Sequence, residues 1–315
     1  MKPAGKTRRG KSEAPPVQGA DLRPLAESIR RHEKAMRRCR KRLSEKSVHK
    51  LRIETRRLLA QLEMLRSLIP GRTFRKGQRG LKKQLRASTF LRDAQVQLAQ
   101  VRRRLPERPE LETICRHLKR NEQCLRRLAK KKLKGGGKLL RRLKMIGNGA
   151  AWDLRTPDSA RRHREAVRQA LRNASGRLAE FRGNPPLDSE GIHRLRVALK
   201  KFRYMVESLP GELSVLTPEE IRLIRSHLDL TGEMHDLELL TARLKRIATK
   251  TIGEKRQFAP LWQSLRQELS TKMRAWRRSA ADLSLSLDTI LEADSRLAQQ
   301  PDRRKQTPSM KGQRP

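Results

Sequence analysis

The sequence predicts an all-α protein made of two similar halves. Nearly every segment between its two ends has apolar residues at three- and four-residue intervals, and no stretch alternates as a β-strand does. One helical pattern occurs twice, 144 positions apart, as VHKLRIETRRLLAQLEML from Val48 to Leu65 and IHRLRVALKKFRYMVESL from Ile192 to Leu209. Repeats this far apart indicate two similar subdomains rather than a solenoid, whose units recur every ~20 to 50 residues.

Prolines and glycines divide the periodic segments into eight predicted helices, four in each half. The breakers are Pro70-Gly71, the turn from Pro106 to Pro109, Pro185-Pro186, Pro210-Gly211 and Gly253. The predicted helices span residues 21–43, 46–69, 74–104, 108–133, 158–181, 188–209, 217–249 and 254–280. Four helices in each half predict two helical bundles, a first over residues 21–133 and a second over residues 158–298.

The segments outside the bundles lack helical periodicity. Residues 1–20 and 299–315 are rich in Pro, Gly, Ser, Gln and basic residues, so both are predicted to be disordered tails. Residues 134–157 contain Gly135-Gly136-Gly137, which has neither the Walker spacing nor a preceding strand. This segment is therefore predicted to be a flexible, Gly-containing linker between the halves.

The charge of the chain predicts a polyanionic partner. Lysine and arginine total 77 against 33 aspartates and glutamates, a formal net charge of +44. Nucleic acid, an anionic membrane surface and inorganic polyphosphate are the candidates. An aromatic content of 3% argues against single-stranded nucleic acid, whose bases usually stack on aromatic side chains. Duplex DNA stays a candidate, because it can be bound non-specifically through its phosphates without aromatic side chains.

Several other classes of protein are disfavoured. No run of about 18 apolar residues occurs, so no membrane span is predicted, and the basic N-terminus lacks the apolar stretch of a secretory signal. The cysteines, Cys39, Cys115 and Cys124, are odd in number and far apart, which predicts reduced, structural thiols. Such thiols are typical of the cytoplasm, which is the predicted location.

The repeated segment has a basic row beside its apolar face. In the second copy the apolar face consists of Leu195, Leu199, Phe202, Val206 and Leu209. The row follows the spacing i, i+3, i+7 and i+10 and comprises His193, Arg196, Lys200 and Arg203. The first copy has His49, Arg52 and Arg56, with Leu59 in the fourth place. Such neighbours on a helix lie about 5–6 Å apart and repel unless anions bridge them. A solvated surface is the alternative, but the repetition in register favours a site for a row of phosphoryl oxygens.

The residues near the rows do not indicate catalysis or metal binding. Neither His49 nor His193 has a second histidine or a carboxylate at i+3 or i+4, so no metal site and no cofactor are predicted. A second repeat, LRDAQV and MHDLEL, carries Asp93 and Asp236, but a lone carboxylate without a partner is a poor catalyst. We expect both aspartates to orient the arginines of the facing helix through charge-assisted hydrogen bonds. The protein is predicted not to be an enzyme.

Together these motifs resemble the CHAD domain. The resemblance rests on H-x-x-R-[IV]-x-x-[RK]-[RK] at His49 and His193, the R-D-x-x-V segment at Arg92 and the K-K-x-R-Y-x-x-E run from Lys200 to Glu207. It covers about residues 20 to 285. Proteins of that family are similar in having two pseudo-symmetric four-helix bundles whose basic motif helices line a central groove or cavity. They bind inorganic polyphosphate and gather on polyphosphate granules.

The resemblance implies a ligand site and a function for this chain. The implied ligand-contacting residues are His49, Arg52, Arg56, Arg57, His193, Arg196, Lys200, Lys201 and Arg203. Leu59 and His235 depart from the family pattern, so the two halves are expected to differ. The Glu-x-Glu-x-Lys/Arg strand of a CYTH triphosphatase domain is not found, which implies a stand-alone CHAD protein. The implied function is non-enzymatic polyphosphate binding at granules; the alternative is a basic architectural protein that binds nucleic acid phosphates non-specifically.

Overall fold

Nine α-helices and two 3-10 helices make up the secondary structure of residues 23–153, 157–209, 216–251 and 258–299, which the computed structural model describes. The α-helices are α1 (Arg23–Lys41), α2 (Glu45–Met64), α3 (Gly71–Arg104), α4 (Glu112–Leu133), α5 (Gly136–Asp153), α6 (Pro157–Ser175), α7 (Ser189–Val206), α8 (Pro218–Thr251) and α9 (Ala259–Gln299). The 3-10 helices are Pro109–Leu111 and Ala179–Phe181. These ranges contain no strand, so the predicted all-α class is confirmed.

The two motif helices begin at equivalent positions because each has a side-chain cap. The Ser44 hydroxyl accepts a hydrogen bond from the Ser47 amide at 3.3 Å, and the Asp188 carboxylate accepts one from the Gly191 amide at 2.7 Å. An N-cap oxygen of this kind satisfies an amide that has no partner within the helix. Ser44 and Asp188 are themselves 144 positions apart, so the first turns of α2 and α7 repeat the sequence register.

Helix α5 occupies most of the segment predicted to be a flexible linker. Its Leu139, Leu143 and Ile146 are buried in a cluster with residues of α1, α2 and α3. A Cβ atom added to Gly136 would lie 2.5 Å from the Met36 sulfur, so this glycine serves close packing. Apolar spacing at i, i+4 and i+7 therefore outweighs the low helix propensity of glycine here. The predicted tails at residues 1–20 and beyond 299 lie outside the described residues.

Apolar packing joins the two halves of the sequence. One buried cluster contains Ala60 and Met64 of α2 together with Phe202 of α7 and Trp276 of α9. A second combines residues of α3 and α4 with residues of α8 and α9, among them Leu118 and Leu240. Consecutive helices pack together within α1–α4 and within α6–α9. The pseudo-symmetry of these two sets stays a prediction.

Four helices surround the centre of the fold. Helix α2 packs against α3 and α7, α7 packs against α8, and α8 packs against α3, which closes a ring. Helices α2 and α7 carry the two copies of the basic motif, and α3 and α8 carry Asp93 and Asp236. The ring thus brings both sequence repeats to one place. No described helix has both the length and the apolar character needed to cross a bilayer.

Candidate anion-binding site

A cavity of about 650 Å³, which we call the central pocket, lies inside the ring of α2, α3, α7 and α8. Seven of the nine predicted ligand-contacting residues line it: His49, Arg52, Arg56, His193, Arg196, Lys200 and Lys201. Its volume falls within the range of about 300–1,000 Å³ that is typical of ligand pockets. The structure therefore brings the two basic rows, which are far apart in sequence, into one site.

The central pocket is strongly basic. Of the described residues that line it, seven are lysines or arginines and three are carboxylates. The basic residues are Arg52, Arg56, Lys82, Arg92, Arg196, Lys200 and Lys201, and the acidic residues are Glu63, Asp93 and Asp236. The rest of the lining combines histidines and uncharged polar residues with apolar side chains, among them Leu59, Val197 and Leu239. Cations beside apolar walls attract an anion more strongly than they would in water because the local dielectric is lower.

Arg57 and Arg203, the other two residues predicted to contact the ligand, are not among the described residues that line the central pocket. The Arg57 guanidinium lies 3.1 Å from Glu54 Oε1 and 3.5 Å from Glu207 Oε2. The Arg203 guanidinium lies over the Tyr204 ring, 4.8 Å from its centroid, with Nε 3.7 Å from Glu207 Oε1. Both arginines thus pair with Glu207, at the end of α7. The Arg57 pair connects α2 to the end of α7, whereas the Arg203 pair lies within the last turn of α7.

Arg52 is held by the neighbouring helix. Its Nη1 donates hydrogen bonds to the Leu85 carbonyl oxygen at 3.2 Å and to the Thr89 hydroxyl at 2.9 Å. Burial, followed by the charge of Arg56, lowers the pKa of Arg52 to about 10. The side chain is nearly inaccessible to solvent. The Nη1 group of Arg52, with two of the five guanidinium N–H donors, is therefore already bonded to α3.

Arg196, the equivalent of Arg52, has no such partners. It lies over Gly232, where an added Cβ would come within 2.9 Å of Nη2, and Gly232 takes the place in α8 that Thr89 takes in α3. No hydrogen bond or ion pair connects Arg196 to another described residue, and its Nε is buried without a partner. Burial lowers the pKa of Arg196, and the charge of Asp236 opposes that shift. Its free donors face an anion-sized cavity.

Lys200 is a second cation without a partner in the pocket. No ion pair or hydrogen bond connects it to another described residue. Burial lowers its pKa to about 7, assisted by the positive charges of Arg196 and Arg56 and opposed by Asp236. The amine of Lys200 therefore changes protonation near neutral pH, and a bound anion would favour its charged form.

Two histidines of the pocket, His49 and His235, have pKa values lowered towards the neutral state. Burial lowers the pKa of His49, with further contributions from the cations Arg92 and Arg56. Burial likewise lowers the pKa of His235, and Arg196 adds to the effect. The rings of His193 and His235 lie with centroids 5.2 Å apart. A polyanion in the pocket would raise the pKa of each shifted imidazole.

Asp93 and Asp236 act through their charge, not through the predicted hydrogen bonds. Within the described chain neither carboxylate forms a hydrogen bond or ion pair with Arg52 or Arg196. Burial raises the pKa of Asp93, the Arg52 charge lowers it, and the Asp236 charge raises it again. The two aspartates are thus close enough to affect each other. Asp93 lies within electrostatic reach of Arg52, and Asp236 within reach of Arg196.

Lys82 and Arg92 of α3 line the pocket although the sequence analysis did not assign them to the site. Arg92 Nη1 also pairs with Glu45 Oε1 at 2.8 Å. For Lys82 a signal was present, because it shares a helical spacing with most of the pocket-lining residues of α3: Gln78, Lys82, Thr89, Asp93 and Val96. Among the described residues, no group of three or more His, Cys, Asp or Glu side chains could hold a metal ion.

The fold and the pocket together define a class: an all-α protein whose repeated motif helices enclose a basic, anion-sized cavity. The CHAD domain family model matches residues 20–245, and the chain belongs to that family. No curated protein sequence matches the chain.

The chain is similar to two solved structures. The crystal structure of the CHAD domain from the plant Ricinus communis superposes with a TM-score of 0.60 at 18% identity, covering 90% of this chain and 97% of that one. The structure of PptA from Streptomyces chartreusis gives a TM-score of 0.49 at 17% identity, covering 89% of this chain and 98% of that one. At 18% identity, the likeness to the Ricinus communis domain shows a shared fold alone.

Proposed function

We propose that the protein binds inorganic polyphosphate in the central pocket. The observation that supports this most is that both basic rows line one cavity. Its described lining contains seven lysines and arginines but only three carboxylates. CHAD domains as a family are linked to polyphosphate binding, which agrees with this proposal.

Polyphosphate suits a pocket with these free donors. It is a linear chain of closely spaced anions, without sugar or base, so it is slim enough to pass between two helices. Arg196 and Lys200 have no partners among the described residues and are available to phosphoryl oxygens, and Arg56 faces them from α2. Charge-assisted hydrogen bonds to such oxygens are among the stronger polar contacts in proteins. Binding should weaken as salt rises.

We also propose that binding is non-enzymatic and places the protein on polyphosphate granules in the cytoplasm. The pocket carboxylates are outnumbered by cations and lie in no metal-binding group of described residues. We expect no phosphate release from polyphosphate or ATP in the presence of magnesium or manganese. Phosphate release that stays with the folded protein through repurification would contradict this expectation. A fluorescent fusion that does not localise to polyphosphate granules would contradict the targeting.

A second candidate, non-specific binding of nucleic acid phosphates, is supported by a different surface. Exposed basic residues continue along α4 and into α5, and none of them lines the pocket: Arg127, Lys130, Lys131, Lys134, Lys138 and Arg141. A duplex is too wide for a cavity of about 650 Å³ but can contact an exposed basic surface. The two candidates therefore predict binding at different places.

Two charge-matched variants separate the candidates. R196Q/K200Q removes two cations from the pocket, and K130Q/K131Q removes two from the α4 surface. Polyphosphate and duplex DNA are titrated into each variant and the parent at equal phosphate concentration and physiological ionic strength. We expect the parent to prefer polyphosphate, the pocket variant to lose that preference, and the surface variant to retain it. Equal or stronger binding of DNA by the parent would overturn the proposal.

A further inference from the structure

Lys200 lines the pocket together with two arginines from different helices, and the charges of both act on its amine. Arg196 is one turn before it on α7, and Arg56 faces it from α2. We propose that this arrangement makes Lys200 a site of covalent acylation by small acyl phosphates. The guanidinium groups would hold the phosphate of the reagent, and the amine would take its acyl group.

The surroundings of Lys200 leave its amine available. No ion pair or hydrogen bond connects it to another described residue, whereas Lys50 on the other motif helix pairs with Glu54 at 2.9 Å. The charged groups that act on Lys200 come from three elements: Arg196 and Arg203 on α7, Arg56 on α2 and Asp236 on α8. Helix α3 adds Lys82, Arg92 and Asp93 to the lining, and α8 adds His235.

Acylation requires a neutral amine, and Lys200 supplies one near neutral pH. Burial and the adjacent cations lower its pKa to about 7. At pH 7.5 roughly three quarters of the Lys200 amine is then neutral, against about 0.1% for an unperturbed lysine of pKa about 10.4. Desolvation and a cationic neighbour are known to make a lysine amine nucleophilic in this way.

The proposed reaction balances without any further reactant. The Lys200 Nζ lone pair attacks the carbonyl carbon of the acyl phosphate and forms a C–N bond. The bond between that carbon and the phosphate oxygen breaks, and inorganic phosphate leaves with the electron pair. Nζ releases one proton to solvent. The products are an amide at Lys200 and free phosphate, so no oxidation or reduction occurs.

The modification would regulate the pocket. It removes the positive charge of Lys200 and adds an acyl group to a cavity of about 650 Å³, so polyphosphate affinity should fall. This consequence rests on the proposed function, whereas the acylation itself needs only the pocket. Polyphosphate bound beforehand should also protect Lys200, because it would occupy the guanidinium groups and favour the charged amine.

Acetyl phosphate is the probe for this site. The full-length protein is incubated with it at pH 7.5 without polyphosphate, and peptide mass spectrometry gives the acetylation rate of each lysine. We expect Lys200 to react at least about tenfold faster than the exposed Lys130 and Lys131. A lower pKa makes the neutral amine less nucleophilic, but the larger neutral fraction of Lys200 raises the rate by more than this effect lowers it. Lys201, which lines the same pocket, is the neighbouring control. A Lys200 rate no greater than that of the exposed lysines would overturn the proposal.

A second reagent separates phosphate capture from amine reactivity. Arg56→Gln should slow acetylation of Lys200 by acetyl phosphate more than acetylation by an uncharged acetyl ester, with circular dichroism showing that the variant is folded. If Arg56→Gln slows acetylation by both reagents equally, the Arg56 guanidinium does not bind the phosphate of the reagent. If Lys200 is acetylated selectively and polyphosphate affinity does not change, the polyphosphate proposal fails while the acylation site stands.

Discussion

The two motif helices place equivalent arginines in different surroundings. On α2, Arg52 donates hydrogen bonds to the Leu85 carbonyl and the Thr89 hydroxyl of α3. On α7, Arg196 lies over Gly232 of α8 and has no hydrogen bond or ion pair with another described residue. The same motif therefore connects two helices in one half and leaves free donors in the other.

The difference between the halves continues along the rows. Leu59 lines the pocket on the first row, while its equivalent Arg203 lies outside the pocket beside Glu207 and Tyr204. We expect the second row to contribute more to ligand binding, because Arg196 and Lys200 have no hydrogen bond or ion pair with another described residue. A duplicated motif can thus divide packing and ligand contact between its copies.

Removing the free cations of the second row should have the largest effect. We expect R196Q/K200Q to weaken polyphosphate binding by about 100-fold, since each lost charge-assisted hydrogen bond contributes roughly 1.5–3 kcal/mol. Titration calorimetry measures the affinity, and circular dichroism shows whether the helices persist. Arg203→Gln is the control on the same helix: its affinity should change little because Arg203 does not line the pocket. If Arg203→Gln loses binding and R196Q/K200Q does not, then Arg203, and not Arg196 or Lys200, contacts the ligand.

The corresponding change on the first row should affect stability more than binding. We expect R52Q/R56Q to weaken polyphosphate binding by about tenfold, because Arg56 provides most of that contact. The variant should also unfold more easily by about 1–2 kcal/mol, since Arg52 no longer bonds to α3. Thermal and denaturant unfolding compare it with R196Q/K200Q. A first-row variant that binds as poorly as the second-row variant would show that the two rows are equivalent.

Polyphosphate affinity should rise as the pH falls from 8 to 6. The pKa of Lys200 is about 7 in the free protein, and those of His49 and His235 are lowered. A bound polyanion favours the charged forms, so binding takes up protons and strengthens at lower pH. Because only about a tenth of a lysine with pKa about 7 is charged at pH 8, the gain from Lys200 is at most about tenfold. Calorimetry in buffers of different ionisation enthalpy measures the proton uptake.

Lys200→Arg tests which group carries this pH dependence. Its guanidinium stays charged throughout, so the variant should lose most of the dependence between pH 8 and 7 and retain the histidine contribution below. An unchanged profile in Lys200→Arg would assign the effect to the histidines alone.

A small change at Gly232 should separate stability from binding. Gly232→Ala places a Cβ 2.9 Å from Arg196 Nη2, so the guanidinium must move. We expect affinity to fall by about threefold while the melting temperature rises, since alanine is favoured over glycine within a helix by about 1 kcal/mol. Gly137→Ala on α5 is the control, because its Cβ meets no atom within 4 Å. It should leave affinity unchanged; tighter binding by Gly232→Ala would mean that Arg196 does not contact the ligand.

Periodicity and breakers were enough to predict most of the fold. Seven of the eight predicted helices correspond to described α-helices whose ends differ from the prediction by at most six residues, and helix 254–280 corresponds to α9, which continues to Gln299. The helix that was not predicted is α5, because three consecutive glycines at its start suggested a linker. Its apolar residues are buried by α1 and α3, and that packing depends on long-range contacts which local sequence does not specify.

The sequence predicted the basic rows but not the partners of each cation. Helical spacing identifies the residues that share a face, and seven of nine predicted ligand contacts do line the pocket. Arg57 and Arg203 do not, because Glu207 pairs with both. Glu207 is 150 positions from Arg57, and no local pattern connects them. The low pKa of Lys200 also depends on a cation from the other half, Arg56.

A crystal structure of the protein with a short inorganic polyphosphate tests the central claim most directly. The proposal predicts phosphates in the central pocket, with their oxygens within hydrogen-bonding distance of Arg196, Lys200 and Arg56. Phosphates bound only along the exposed lysines of α4, with the pocket containing none, would contradict it.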